Sequence, residues 1–209
     1  MAYVLLPLLG GSWAGVSCSE EEAEASEYDN WQARNEVYFA TLADSLRGNP
    51  SQWQHIKSYA FDDAAEVSST NYIYAKVIEK GTGTECPAFT DSVRVIYKGR
   101  LIPSATWPEG RVFSSTVNDQ FSAATGYTTK GVVGHFVEGF TTALQLMHCG
   151  DYWRIYVPYQ LGYGETAQEV ADVVNIPAYS VLIFDLQLVD FRPAGEALPL
   201  WSSRQGRPE

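Results

Sequence analysis

Phe136-Val137-Glu138-Gly139-Phe140, then Ala143-Leu144-Gln145-Leu146-Met147, Trp153-Arg154-Ile155-Tyr156-Val157-Pro158 and Leu161-Gly162-Tyr163-Gly164, is the stretch whose pattern decides the fold. Phe136, Phe140, Leu144 and Met147 fall on one face of a helix over 139–148, and Gly150 stands at its stop. Residues 152–158 read as a strand. Tyr163 lies between two glycines on a permissive turn, where an aromatic side chain is usually placed for contact. The helix, strand and turn supply a floor, a wall and a phenol donor for a small apolar pocket. The stretch holds no nucleophile, no metal cluster and no phosphate-cradling loop, so any chemistry here needs only shape and a few hydrogen bonds.

Working outward, Tyr72 to Ile78 alternates as a strand and Lys80-Gly81-Thr82-Gly83 turns it. Val93, Val95 and Tyr97 alternate with Arg94, Ile96 and Lys98. Val112-Phe113 starts a short extended piece, and residues 121–130 read as a loop or ragged strand. Val181 to Phe191 is the last strand, with Val181 and Ile183 on one side and Leu182, Phe184, Leu186 and Leu188 on the other. Several antiparallel strands and one helix predict an α+β domain, a bent antiparallel β-sheet wrapped around one short helix. Residues 51–70 read as irregular. Upstream, Ser26 to Arg47 is helical in pattern: Ser26 and Asp29 resemble a capping box, Trp31, Tyr38, Leu42 and Leu46 keep a helical spacing, and Gly48-Asn49-Pro50 ends it. This N-terminal extension either packs on the main domain, pairs with a second copy or acts as a spacer.

Four segments result: a signal segment over 1–18, an acidic tether and helical extension over 19–70, the main domain over 71–192 and a tail over 193–209. With 209 residues, 45% hydrophobic, the chain suits one domain plus extensions. It carries 13 Tyr, 9 Phe and 6 Trp, enough to line a recognition pocket as well as a core. A net charge of -11 with no basic stripe speaks against nucleic-acid binding. Val4 to Leu9 is apolar and Gly15-Val16-Ser17-Cys18 resembles a bacterial lipoprotein cleavage box, with Cys18 as the lipidated residue. The box departs from the usual pattern in lacking Lys or Arg before the apolar run and in having Gly15 where a larger aliphatic is preferred. An apolar tail with an ordinary cysteine is the alternative. Ser19-Glu20-Glu21-Glu22 reads either as a surface-export signal or as a solvated tether. Export would place Cys86 and Cys149 where thiols often pair, so a bridge and two buried free thiols both stand. His55, His135 and His148 show no metal-ligand spacing with them.

The order of motifs from about Tyr74 to Phe191 resembles the FKBP-type peptidyl-prolyl cis-trans isomerases. The pieces are Val95-Ile96-Tyr97-Lys98-Gly99-Arg100-Leu101, Gly110-Arg111-Val112-Phe113-Ser114-Ser115, Phe136-Val137-Glu138-Gly139-Phe140, Trp153 to Pro158, Leu161 to Gly164, Ile176-Pro177-Ala178 and Leu182 to Leu186. Each alone is a weak signal. Seven in order are a strong one. The resemblance implies a proline well made by Tyr97, Phe113, Val137, Phe140, Tyr163 and Phe184, with Phe140 as its floor. It implies that the backbone N–H of Val137 and the Tyr163 hydroxyl bind substrate carbonyls, and that Ile176 and Phe136 line the rim. Ser114 stands where the family usually has Asp, which implies reduced activity. Loops 102–110 and 165–175 differ from the family and are expected to border the mouth.

The chemistry suits such a site. Rotating an amide crosses a barrier of about 18–20 kcal/mol because resonance is lost. An apolar site disfavours the more polar planar amide, and oriented donors hold the chain, so no covalent step and no cofactor are needed. Taken singly, Tyr97, Phe113, Phe140 and Phe184 are ordinary core residues, and Asp185 is a partner for a strand neighbour or an Arg. The expected function is isomerisation of proline-containing polypeptides as exported proteins fold, with the family's macrolides as inhibitors. The expected location is the outer membrane or surface of a Gram-negative bacterium, through a lipid anchor. A weakly active or inactive module that binds proline-containing segments, and a surface interaction protein, are the alternatives.

Overall fold

The computed structural model describes residues 27–118, 121, 127–170 and 174–199. The signal segment, Cys18, the acidic run and Ser26 lie outside the described residues. The strands are β1 (Trp53–Lys57), β2 (Tyr72–Glu79), β3 (Ser92–Arg100), β4 (Val112–Ser115), β5 (Thr129–Val132), β6 (Tyr152–Val157), β7 (Gln168–Val170), β8 (Val174–Ile176) and β9 (Leu182–Arg192). The helices are α1 (Trp31–Gly48) and α2 (Glu138–Leu144). The main sheet runs β1-β2-β6-β9-β3-β4, with β5 also on β3, and every pairing is antiparallel. The fold is α+β, as the alternation predicts.

Strand β9 lies between β6 and β3, with Leu182, Phe184, Leu186 and Leu188 on one face and Ile183, Asp185 and Gln187 on the other. Its register sets Phe184 opposite both Ile155 and Gly99, and Leu186 opposite both Trp153 and Tyr97. These residues share the inner face, which packs on α2. Gly139 permits the contact: a Cβ there would come within 2.5 Å of Val157 and 3.0 Å of Ile73. Helix α2 is shorter than predicted. It stops at Leu144 because Asp151 draws the next turn away, its carboxylate accepting from the backbone N–H of His148 (2.8 Å) and of Gly81 (2.7 Å). Gly150 then takes a left-handed φ of 93°.

The outer face is also covered. Helix α1 buries Trp31, Asn35, Phe39 and Leu42, a stripe at helical spacing. Phe39 packs edge-on against Tyr74 at 5.1 Å, and Tyr38 meets Tyr156 at 6.4 Å. Of the three roles that the sequence leaves open for this helix, packing on its own domain is the one observed. The predicted capping box falls on Ser26, outside the described residues; the cap of α1 is Asn30, in a left-handed conformation with φ 54° and no side-chain bond, a geometry that Asn tolerates.

Residues 51–70 are less irregular than expected. Strand β1 pairs with β2, and its rings stack on the outer face, Trp53 on Tyr156 at 5.5 Å and His55 on Tyr72 at 4.2 Å. The sheet therefore begins upstream of residue 71. Beside these rings, Asp185 receives Arg100, the Nε of Arg154 at 2.7 Å and the hydroxyl of Tyr152 at 3.2 Å. Burial, helped by the Asp185 charge, pushes the Tyr152 phenol up to about 12. Asp185 thus has the structural pairing that its position on a strand suggests.

Candidate active site

Five rings from four parts of the chain meet on the inner face. Phe140 on α2 lies 5.1 Å from Phe184 on β9 and 6.1 Å from Tyr97 on β3, both nearly perpendicular. Phe184 meets Phe113 on β4 at 5.6 Å, also edge to face. Phe136, just before α2, stacks on Phe140 at 4.8 Å. Perpendicular rings set positive edges against negative faces, which holds the walls at fixed angles. Phe113, Phe140 and Phe184 are buried, while Tyr97, Phe136 and Val137 are half-buried. The three phenylalanines are the deep part of the cluster, and Tyr97, Phe136 and Val137 are its partly exposed part.

Gly99 makes room for it. A Cβ there would lie 2.6 Å from the Phe113 ring and 2.9 Å from that of Phe184. Sequence reasoning assigned Gly99 no part in the pocket. The available signal was a glycine inside a strand, which marks close approach by another group.

The polar side has two phenols. Tyr97 shares a hydrogen bond with Ser114 at 2.7 Å, and its backbone N–H donates to Thr116 Oγ1 at 2.9 Å. Tyr163 is 38% exposed, so its ring is reachable from solvent. Its turn is held by the N–H of Gly164 donating to Tyr159 O at 2.8 Å and by Gly162 packing on Leu182. Burial, and then the neighbouring Tyr97 phenol, push the Tyr163 phenol above its ordinary value. It stays protonated at neutral pH and can donate a hydrogen bond. Val137 is the cap residue of α2, at the edge of the ring cluster.

Two expectations need correction, and one open alternative is decided. Ile176 is no rim residue: it is fully buried in the core, at the end of β8, which pairs with β7. Loop 102–110 does not border the mouth. It packs on the outer side, with Thr106 donating to Glu27 at 2.5 Å and Arg111 to the Tyr28 hydroxyl at 3.0 Å, and with Pro103 and Pro108 beside Tyr38 and Tyr156. Cys86 and Cys149 are not bridged. Both are free, and burial pushes each thiol up, which favours the protonated, unreactive form. His135 is exposed, and His148 serves the Asp151 turn.

Ser114→Asp places a carboxylate next to the Tyr97 hydroxyl. Any prolyl isomerase turnover is expected to rise about three- to tenfold, the range of one stronger, charge-assisted hydrogen bond. A fall or no change in kcat/KM on a short proline peptide would show that the polar side does not depend on charge at this position.

Among the described residues, the site is a cluster of aromatic rings with two phenols on its polar side, and no group of three or more His, Cys, Asp or Glu is placed to hold a metal. The comparisons with known proteins are specific. The family model for FKBP-type peptidyl-prolyl cis-trans isomerase matches residues 83–189, and the chain belongs to this family. A "Macrophage infectivity potentiator" from Trypanosoma cruzi is 37% identical over 119 residues, 57% of this chain and 53% of its own. An "FKBP-type 22 kDa peptidyl-prolyl cis-trans isomerase" from Escherichia coli K12 is 34% identical over 123 residues, 59% of this chain and 52% of its own. An "Outer membrane protein MIP" from Legionella longbeachae is 34% identical over 119 residues, 57% of this chain and 44% of its own. The chain spans about half the length of these curated relatives.

Proposed function

We propose that this chain catalyses cis–trans isomerisation of X-Pro bonds in polypeptides. The observation that supports this reading is the ring contact linking Tyr97, Phe113, Phe140 and Phe184, with touching centroids 5.1 to 6.4 Å apart and Tyr163 near Tyr97, which we read as the walls of one well. A proline ring enters over Phe140. The apolar walls disfavour the polar planar amide relative to the twisted one, and the Tyr163 hydroxyl and Val137 N–H hold flanking carbonyls. Each ~1.4 kcal/mol of preference for the twisted amide gives tenfold in rate.

The test is turnover of a proline-containing peptide by the full chain. Wild type is expected to be active, and Tyr163→Phe to lose about three- to tenfold in kcat/KM, the range of one net hydrogen bond. Inactive wild type, or unchanged kcat/KM in Tyr163→Phe, would count against the site. One observation favours a second reading: Ser114 gives Tyr97 a hydrogen bond without charge. In that reading the well binds proline segments or the family's macrolides and turns them over weakly. Wild type that binds such a ligand without turnover would establish it.

We also infer export and lipid anchoring at Cys18, with folding of exported proteins as the setting. Support comes from the apolar run before Cys18 and from the relative named as an outer membrane protein. Cys18→Ser is expected to move the protein from the membrane fraction to the soluble one. Unaltered partitioning would rule out the anchor.

A further inference from the structure

We propose that α1 is a working part of the isomerase site, with Asn35 and Trp31 as positioning residues for the wall that carries Tyr163. This rests on the function proposed above. Asn35 is fully buried on α1, in a seam otherwise made of Trp31, Phe39 and Leu42. A buried amide is costly unless its polar groups are bonded. The Asn35 Nδ2 donates to Trp31 O at 2.7 Å, back along its own helix, and its Oδ1 accepts from the backbone N–H of Val181 at 2.7 Å. A docking helix that needed only apolar contact would gain more from an aliphatic residue here. Asn35 instead secures one particular backbone group, just before β9 begins.

Trp31 does the same one residue earlier. Its Nε1–H donates to Ser180 Oγ at 2.8 Å, and that hydroxyl donates on to Pro177 O at 2.6 Å. Both partners lie about 150 residues along the chain, with separations of 149 and 146. The segment they hold, 177–181, is not relaxed. Tyr179 has a left-handed φ of 62°, which costs a non-glycine residue about 1 kcal/mol and persists only where neighbours enforce it.

The held segment is anchored in packed residues at both ends. Ile176 precedes it in the core, and Leu182 follows it, packed on Gly162. In its middle, the Tyr179 N–H donates to Gly164 O at 2.9 Å, next to Tyr163. A continuous series of contacts therefore runs from α1 through Ser180 and Val181 to Tyr179, and from there to the Tyr163 turn. Undocking α1 frees the strained segment and with it the phenol that binds substrate.

The test uses the full chain and two variants, Trp31→Phe, which keeps the ring and removes the donor, and Asn35→Ala. Two quantities are measured: kcat and KM on a proline peptide, and hydrogen exchange at the Tyr179 amide, whose own bond does not involve α1. Each variant is expected to raise KM about three- to tenfold with little change in kcat, and to speed Tyr179 exchange by a similar factor. Ser180→Ala on top of Trp31→Phe is expected to add only the loss of the Ser180 bond to Pro177 O, because the Trp31–Ser180 bond is already gone. KM and Tyr179 exchange that stay at wild-type values in Trp31→Phe would overturn the proposal. So would exchange that speeds equally across β3, β6 and β9, since that marks general loosening. If wild type proves inactive, the isomerase function fails, while Tyr179 exchange still decides whether α1 holds the wall.

Discussion

Phe140→Ala is expected to lower kcat/KM on a proline peptide by about a hundredfold, which corresponds to about 2.7 kcal/mol of lost transition-state binding. The ring is 3% exposed and touches Tyr97, Phe136 and Phe184, so its removal takes away the floor and the edge that fixes two walls. Stability is expected to fall as well, by about 3–5 kcal/mol, the usual cost of a large buried ring. A control separates the two effects. Leu144→Ala opens a cavity on the same helix, where the side chain is fully buried, and is expected to cost about 2–5 kcal/mol in urea unfolding with little loss of turnover at a temperature where both variants are folded. Equal turnover losses in the two variants would mean that Phe140 acts only through stability, and the floor assignment would fail.

The second large effect is expected from Asp185→Asn, and it is the opposite kind. Asp185 has a side chain only 3% exposed, between Arg100 at 12% and Arg154 at 36%. Neutralising the carboxylate leaves two guanidinium groups facing each other without a counter-charge. Breaking a buried ion pair costs about 3–5 kcal/mol, and the lower end applies here because Arg154 keeps a third of its side chain in water. Asp185 lies on the outer face of β9 while Phe184 lies on the inner face. Turnover of the folded protein is therefore expected to stay within about twofold. Urea unfolding and peptide turnover, measured on the same sample, check both statements. A catalytic collapse without a stability loss would put Asp185 in the chemistry, against its place in the sheet.

Much of this molecule was legible from neighbouring residues. Strands β3, β6 and β9 follow from alternation, and β9 was recognisable as the long apolar last strand. Tyr97, Phe113, Phe140, Tyr163 and Phe184 were all named, and ring contacts link Tyr97, Phe140, Phe184 and Phe113. Other features had no local signal. Trp53-Gln54-His55-Ile56-Lys57 does not alternate as a half-buried strand does, since Trp53 and His55 are stabilised by rings of β2 and β6 rather than by an apolar core. The seam of α1 was shifted by one position, with Phe39 rather than Tyr38 innermost, because Asn35 is drawn inward by Val181. Gly99 looked like the end of a strand until two rings were seen to need its missing side chain.

The order of residues by itself determined the α+β class, the strands that alternate and the helix after Phe136. Each of these depends on periodicity or turn chemistry within some ten residues. Only the tertiary structure decided that α1 lies on the sheet's outer face, that loop 102–110 supports that helix instead of the mouth, and that Ile176 is a buried wall. These follow from contacts between segments up to 149 residues apart, and no pattern among chain neighbours encodes which distant backbone group a buried amide or indole will meet.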